Sequence, residues 1–358
     1  MAELKEVLSV LEASKGKITM FADGFVDEVW EIVNERANLQ EYSLYNKMNQ
    51  FADRITNSGS GGVGLELIKK RRAFGGFTAN IGYAAARLGV DCAMVGVYGK
   101  ETLDPIFEDV GNLCDVYSLD EPAVTHVFEF DDGKILMSHM GNVQNITWQQ
   151  IVDSLGIEKI EVLLEKSDII GIGYWSLVPA FDEMLEGICA NIPKDGKIRR
   201  FFFDFADFRK KDEASLMKSL ALLKKYNAEF PMTLSVNEHE AATLFAMCSK
   251  TLDETGTAVD EILAGTEFVR EQIGLDEFVI HTPRYAVAAA KGKVPAFEVA
   301  VFVEKPVRTA GAGDTFNGGY ISASLAGLGL QERLQVANAA VGHFLRTAVF
   351  PTREDIFV

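Results

Sequence analysis

Apolar runs of strand length alternate with amphipathic segments of helix length along most of this chain. The runs "KITMFADG", "DCAMVGVYG", "SDIIGIGY", "IRRFFFDF", "MTLSVN" and "EFVIHT" are apolar almost throughout. A strand with that pattern is buried on both faces, which is the condition of a parallel sheet covered by helices. Such sheets bind ligands beyond the carboxyl ends of their strands. Asp27, Asp204, Asn237 and Thr282 fall at those ends in this reading. One region breaks the alternation. "VTHVFEFDDGKILMSHM" places Asp-Gly between two strand-like runs, a hairpin signal. "GGVGLELIKKRR" reads as a further strand beside it. Together they predict a small antiparallel flap on one large α/β domain. No repeat or linker divides the chain.

Composition narrows the function. The 358 residues are 48% hydrophobic, enough for a large core. The net charge of -17 and the absence of a long basic run argue against nucleic acid as a partner. The short run Lys69-Lys70-Arg71-Arg72 reads as strand, on a solvated face. No stretch approaches the roughly 20 apolar residues that span a bilayer, so no membrane is expected. The N-terminal "MAELKEVLSVLEASKGK" lacks the apolar stretch of a signal peptide. The four cysteines form no CxxC and the five histidines have no ligand spacing, so zinc is not expected. Scattered thiols fit a reducing cytoplasm.

The stretch "RTAGAGDTFNGGY", residues 308 to 320, carries the chemistry. No Gly-Lys-Ser/Thr follows it, so it is not a Walker A loop. It leads into a helix of small and apolar residues. Gly311, Ala312 and Gly313 then offer backbone N–H groups at a helix start, an anion hole. Asp314, just inside the helix, reads either as a carboxylate favoured by the helix dipole or as a general base. In the second reading it takes a proton from an alcohol that attacks a phosphorus held by the N–H groups.

That stretch and "GGFTANIGYAAARLG" resemble the two signatures of the PfkB carbohydrate kinases of the ribokinase superfamily. The resemblance runs from "FADGFVDEV" to "QVANAAVGHFL". It implies a ribokinase-like α/β fold: a mostly parallel sheet with helices on both faces and a small β-strand lid. The lid strands fall at about 28–35, 63–73 and 123–140. It implies an ATP- and Mg²⁺-dependent phosphotransferase acting on a sugar-type alcohol. Asp314 matches the catalytic base, and Gly311, Ala312 and Gly313 match the anion hole. Asp27, Gly75, Gly76 and Asn80 match the acceptor site. Asp23 is a rival to Asp27, which also reads as a helix cap before "EVWEIV". Asn237, Thr282, Thr309 and Asn338 match nucleotide positions, and Glu240 matches a residue that holds magnesium mostly through water. Asn237 and Glu240 also read as a near capping box. Arg209, in "DFADFR", is a phosphate contact or a solvated surface residue.

Two positions depart from the family pattern. Pro283 and Arg284 stand where a glycine turn is expected, which bears on adenine recognition. Arg308 stands where many relatives carry an Asp that helps to bind a monovalent cation. The arginine either supplies that positive charge itself or points to solvent, so a potassium requirement is not expected. Small-molecule sugar and ATP are the expected partners, with a homodimer through the lid. The alternatives are a nucleoside kinase and a non-catalytic sugar or nucleotide sensor.

Overall fold

The computed structural model describes residues 2–252 and 258–357. Its strands, in chain order, begin with β1 (Lys17–Phe21), β2 (Phe25–Arg36), β3 (Tyr42–Leu44) and β4 (Glu66–Gly75). Next come β5 (Asp91–Gly96), β6 (Asp115–Ser118), β7 (Ala123–Phe130), β8 (Gly133–His139) and β9 (Ile169–Gly173). The last are β10 (Arg200–Asp204), β11 (Met232–Asn237), β12 (Glu277–His281), β13 (Tyr285–Ala290) and β14 (Ala296–Val299). Nine of them form one sheet in the order β14-β13-β12-β11-β10-β9-β1-β5-β6. The pairs from β6 through to β12 are parallel; β13 and β14 add antiparallel strands at one edge.

Strand alternation divides the core into two layers. Phe21, Phe201, Phe203 and Leu234 pack with Phe181 and Leu185 on one face. Ile18, Met20 and Phe202 pack with Phe77, Ile81, Phe316 and Tyr320 on the other. Two helices of that second layer carry the family signatures, Phe77–Arg87 and Ala312–Leu325. The later one is buried along nearly its whole length, which its small residues permit. A Cβ on Gly318 would stand 2.5 Å from Ala84 Cβ, so glycine sets how closely the two helices approach.

The remaining five strands form a separate small sheet, β3-β2-β7-β8, with β4 also paired to β2. Its hairpin, β7 and β8, turns at Asp131-Asp132, with Phe130 opposite Gly133. Here the structure corrects one reading. Asp27 neither ends a strand of the main sheet nor caps a helix: "EVWEIV" is strand, inside β2. Val26, Val29, Ile32 and Val33 are buried along it. Its backbone is satisfied on both sides, by β4 antiparallel and β7 parallel. Branched and aromatic residues suit that two-sided pairing better than a helix. β14 ends at Val299 and the chain leaves the sheet there, with Phe302 82% exposed. Residues 104–113, "DPIFEDVGNL", form a 3-10 turn and a single helical turn with Asp104 as the cap.

Candidate active site

The glycine-rich loop and the buried helix bring the chemistry to one place. Gly311 caps Ala312–Leu325 with φ of +91°, a conformation that favours glycine. The Ala312 N–H already donates to the Thr309 carbonyl at 3.1 Å. Helix geometry leaves the Gly313 and Asp314 N–H groups without an acceptor of their own, facing the loop. Asp314 is 7% exposed, and both of its oxygens are held. Asn80 Nδ2 donates to one at 2.7 Å and the Tyr174 hydroxyl to the other at 2.5 Å. Burial pushes the Asp314 carboxyl up to about 6, although both hydrogen bonds favour its ionised form. The other amide atom of Asn80, Oδ1, is buried without a partner among the described residues. It is an acceptor left open to a ligand hydroxyl.

Asp23 and Asp27 separate cleanly. Asp23 is fully buried and accepts from Phe77 N at 2.7 Å, Thr78 N at 3.0 Å and the Thr78 hydroxyl at 2.5 Å. It satisfies the start of the helix Phe77–Arg87, where Gly76 itself has no side chain to do so. Asp27 lies across from Ala73 and Thr125 on the small sheet and makes no ion pair among the described residues. Burial raises its carboxyl; Arg308, Lys134 and Arg71 oppose that shift. The two glycines serve these two acids. A Cβ on Gly75 would stand 2.9 Å from an Asp27 oxygen, and one on Gly76 2.9 Å from an Asp23 oxygen.

The basic run divides between the two faces of the small sheet, across an irregularity in register opposite Val29 and Trp30. Lys69 pairs with Glu28, Lys70 with Glu31 and Arg72 with Asp104. Arg71 shares a face of the sheet with Asp27 and is paired with Glu129. Arg308 does not point to solvent. It is half-buried, its guanidinium lies 5.4 Å from the Phe344 ring centre, and its Nε is buried without a partner among the described residues. One of its terminal nitrogens is 3.9 Å from where a Cβ on Gly311 would stand.

A cavity of about 420 Å³ opens beside Asp314 and Gly313. Asp204, Asn237 and Glu240 line it. Asn237 and Glu240 form a complete capping box: Asn237 accepts from Glu240 N at 3.1 Å and Glu240 accepts from Asn237 N at 3.0 Å. Asp204 is fixed by Asn317 Nδ2 and Ala206 N, each at 2.9 Å. Burial raises both carboxyls, Glu240 further through Asp204, and Asp204 through Asp314. Carboxylates that raise one another in a shared cavity are what a divalent cation relieves. Among the described residues no three potential ligands cluster as a metal cage. One or two carboxylates with waters and phosphate oxygens is the way Mg²⁺ is usually held, so the residues fit that ion. Arg209 is committed elsewhere, to both oxygens of its own Asp207 at 2.8 and 3.0 Å.

A second cavity, about 540 Å³, adjoins the first across Asn237, His281 and Gly313. Thr282, Thr309 and Asn338 line it, with Val301, Phe302 and Leu345. The Thr282 hydroxyl accepts from Arg284 N and Tyr285 N, so it builds the turn that Pro283 and Arg284 occupy. Asn338 is buried and donates to the Val299 carbonyl at 3.3 Å. His281 stands between the cavities, half-buried, and burial of its ring lowers its pKa to about 4, which holds it neutral. Sequence reasoning missed Tyr174, His281 and Lys134. Tyr174 and His281 stand at the carboxyl ends of β9 and β12, the position that marked Asp204 and Asn237. Lys134 had no such signal.

A family model described as prokaryotic ketohexokinase matches residues 5–358. The chain is 25% identical over 345 residues to a ketohexokinase of Haloferax volcanii, covering 95% of this chain and 90% of that protein. Among solved structures it is similar to a putative ribokinase II from E. coli in complex with ATP and Mg²⁺. That match has a TM-score of 0.61 and 15% identity over 96% of this chain and 97% of the other. It is also similar to Arabidopsis thaliana ribokinase complexed with ribose and ATP, with a TM-score of 0.64 and 16% identity over the same shares. The two structures establish the shared fold.

Proposed function

Because the chain belongs to the prokaryotic ketohexokinase family, and so is a phosphotransferase with an alcohol group of a sugar as acceptor, we propose that it transfers the terminal phosphoryl group of ATP to a hydroxyl of a ketohexose. The observation that carries this reading is Asp314. It is a buried carboxylate with a raised pKa, at a helix start that also offers free N–H groups. That pairs a base with an anion hole.

The residues divide the work. The acceptor lies between Asp27 and Asn80, whose open Oδ1 receives one of its hydroxyls. Asp314 takes the proton of the attacking hydroxyl, and Tyr174 and Asn80 keep its oxygens aimed. The free N–H groups of Gly313 and Asp314 face the phosphoryl oxygens as charge shifts onto them, while the Ala312 N–H is spent on the Thr309 carbonyl. ATP spans both cavities, its phosphates at Asn237 and its base near Thr282, Thr309 and Asn338. Asp204 and Glu240 would hold Mg²⁺, Glu240 mostly through water, and the ion would supply positive charge against the phosphates. The small sheet is the lid that excludes water, the competing acceptor. No helix among the described residues is long and apolar enough to cross a membrane.

A panel of ATP with ketohexoses, aldoses, nucleosides and sugar phosphates tests the reading. Turnover of a ketohexose above the rest is the expected result; preference for a nucleoside, or no turnover of any acceptor, would reject it. Within that panel Asp27→Ala should raise KM for the sugar at least about tenfold, the scale of one charge-assisted hydrogen bond. KM for ATP should stay within about twofold. Equal changes in both would remove Asp27 from the acceptor site.

Arg308 supplies a fixed positive charge beside Gly311. Activity is therefore expected to be the same in potassium, sodium and choline buffers of equal ionic strength. Strong activation by potassium would overturn this role.

A further inference from the structure

The first cavity is rich in acids and poor in cations. Asp204, Asp207, Glu240 and Asp314 line it. Of its cationic lining residues, Arg209 is bound to Asp207, while His239 is 80% exposed beside Glu238. His281 is held neutral by burial. Lys134 alone among these is a permanent cation with no carboxylate within ion-pair distance among the described residues.

Its place in the fold is specific. Lys134 follows the β7–β8 turn, opposite Glu129, near the tip of the hairpin. Leu136 stands two residues on, on the same face, and lines the same cavity while 53% exposed. A cation and a half-exposed leucine are thus presented together to the cavity that holds Asp314. The walls around the ammonium push its pKa down, and Asp27, Glu129 and Asp314 oppose that shift. Its electrostatic neighbours thus include the acceptor-side acid and the candidate base, beside Glu129 and Arg308.

We propose that Lys134 is a catalytic residue carried by the lid: when the hairpin closes over a bound acceptor, its ammonium meets the phosphoryl group in transfer. The balance is simple. The acceptor oxygen forms a bond to phosphorus, the bond from phosphorus to the departing ADP oxygen breaks, and Asp314 receives the acceptor proton. Lys134 stays protonated and donates hydrogen bonds to the phosphoryl oxygens throughout. Leu136 is covered by the acceptor as the hairpin closes. The lysine's share of the charge compensation then arrives only with closure, so ATP without an acceptor is poorly hydrolysed. The proposal rests on the sugar-kinase reading and on the Asp314 site.

The test compares Lys134→Met, Lys134→Arg and Asp314→Asn in the full-length protein, with Lys134→Ala assayed in added ethylamine. Lys134→Met is expected to lower kcat at least about a hundredfold, the scale of one lost transition-state donor. Both KM values should change less than about threefold, and the thermal midpoint should stay unchanged because the residue lies on an exposed hairpin. Lys134→Arg should keep a tenth or more of the activity, and ethylamine should raise kcat of Lys134→Ala. Near-normal kcat for Lys134→Met, or a rise in KM for ATP with kcat intact, would overturn the proposal. A lack of both arginine retention and amine rescue would do the same. Full activity of Asp314→Asn with a crippled Lys134→Met would reject the base and leave Lys134 standing.

Discussion

Asp314→Asn is expected to lower kcat by at least about 10²–10⁴-fold, the usual contribution of general acid–base catalysis. The amide fits the same space and still accepts from Tyr174 through its oxygen, but it takes no proton at any working pH. Fold and nucleotide affinity should persist, because the helix start is set by Gly311 and not by this side chain. Thermal unfolding and ATP titration check both. The same carboxyl sets the acid limb of the pH profile. Only its ionised form accepts the proton, and burial holds it at about 6. Activity should therefore fall about tenfold per pH unit below 6 and level off above it. The Tyr174 hydroxyl favours the ionised form, so Tyr174→Phe should move the inflection to higher pH. Near-normal kcat in Asp314→Asn would remove the base from the mechanism.

Asp23→Ala is expected to destabilise the protein by about 3–5 kcal/mol, with little left to measure of its catalysis. The substitution strips the acceptors from Phe77 N, Thr78 N and the Thr78 hydroxyl. Each buried donor left unmet costs about 1–3 kcal/mol, although the Thr78 hydroxyl keeps the Asp23 carbonyl at 3.1 Å. Asp23→Asn retains one acceptor oxygen and should cost less, about 1–3 kcal/mol. The pH dependence has a definite sign. Burial raises the folded-state carboxyl to about 7, above its ordinary 3.8. Its contribution is then full below about 4 and is lost as pH rises through 7. The gap between wild type and Asp23→Ala should be widest at the acid end. Urea midpoints at pH 5 and pH 8 measure both effects. A loss under about 1 kcal/mol would mean that Asp23 does not secure this helix.

The contrast with Asp27 shows where reading from sequence stopped. The two acids stand four residues apart, and either reads as a sugar ligand. Asp23 turns to the helix Phe77–Arg87, while Asp27 rides β2 of the small sheet. That choice depends on whether "EVWEIV" is helix or strand, and partners remote in sequence, β4 and β7, decide it. Tyr174 meets Asp314 across 140 residues and Asn80 meets it across 234. Asn80 was accessible through its signature; Tyr174 stood in no motif.

The sequence by itself determined the alternation of strand and helix, and hence the parallel sheet with two covered faces. It also determined the glycine-started helix with an acid in its first turn. These are local properties: periodicity, turn residues and small side chains act within a few residues. Tertiary structure alone decided which charges face the cavity. It spent Lys69, Lys70, Arg71 and Arg72 on ion pairs, turned Arg308 inward, and placed Lys134 on the wall of the acidic cavity with no ion pair among the described residues. A charge's partner follows from register and from burial beside distant elements, and neither is written in the neighbouring residues.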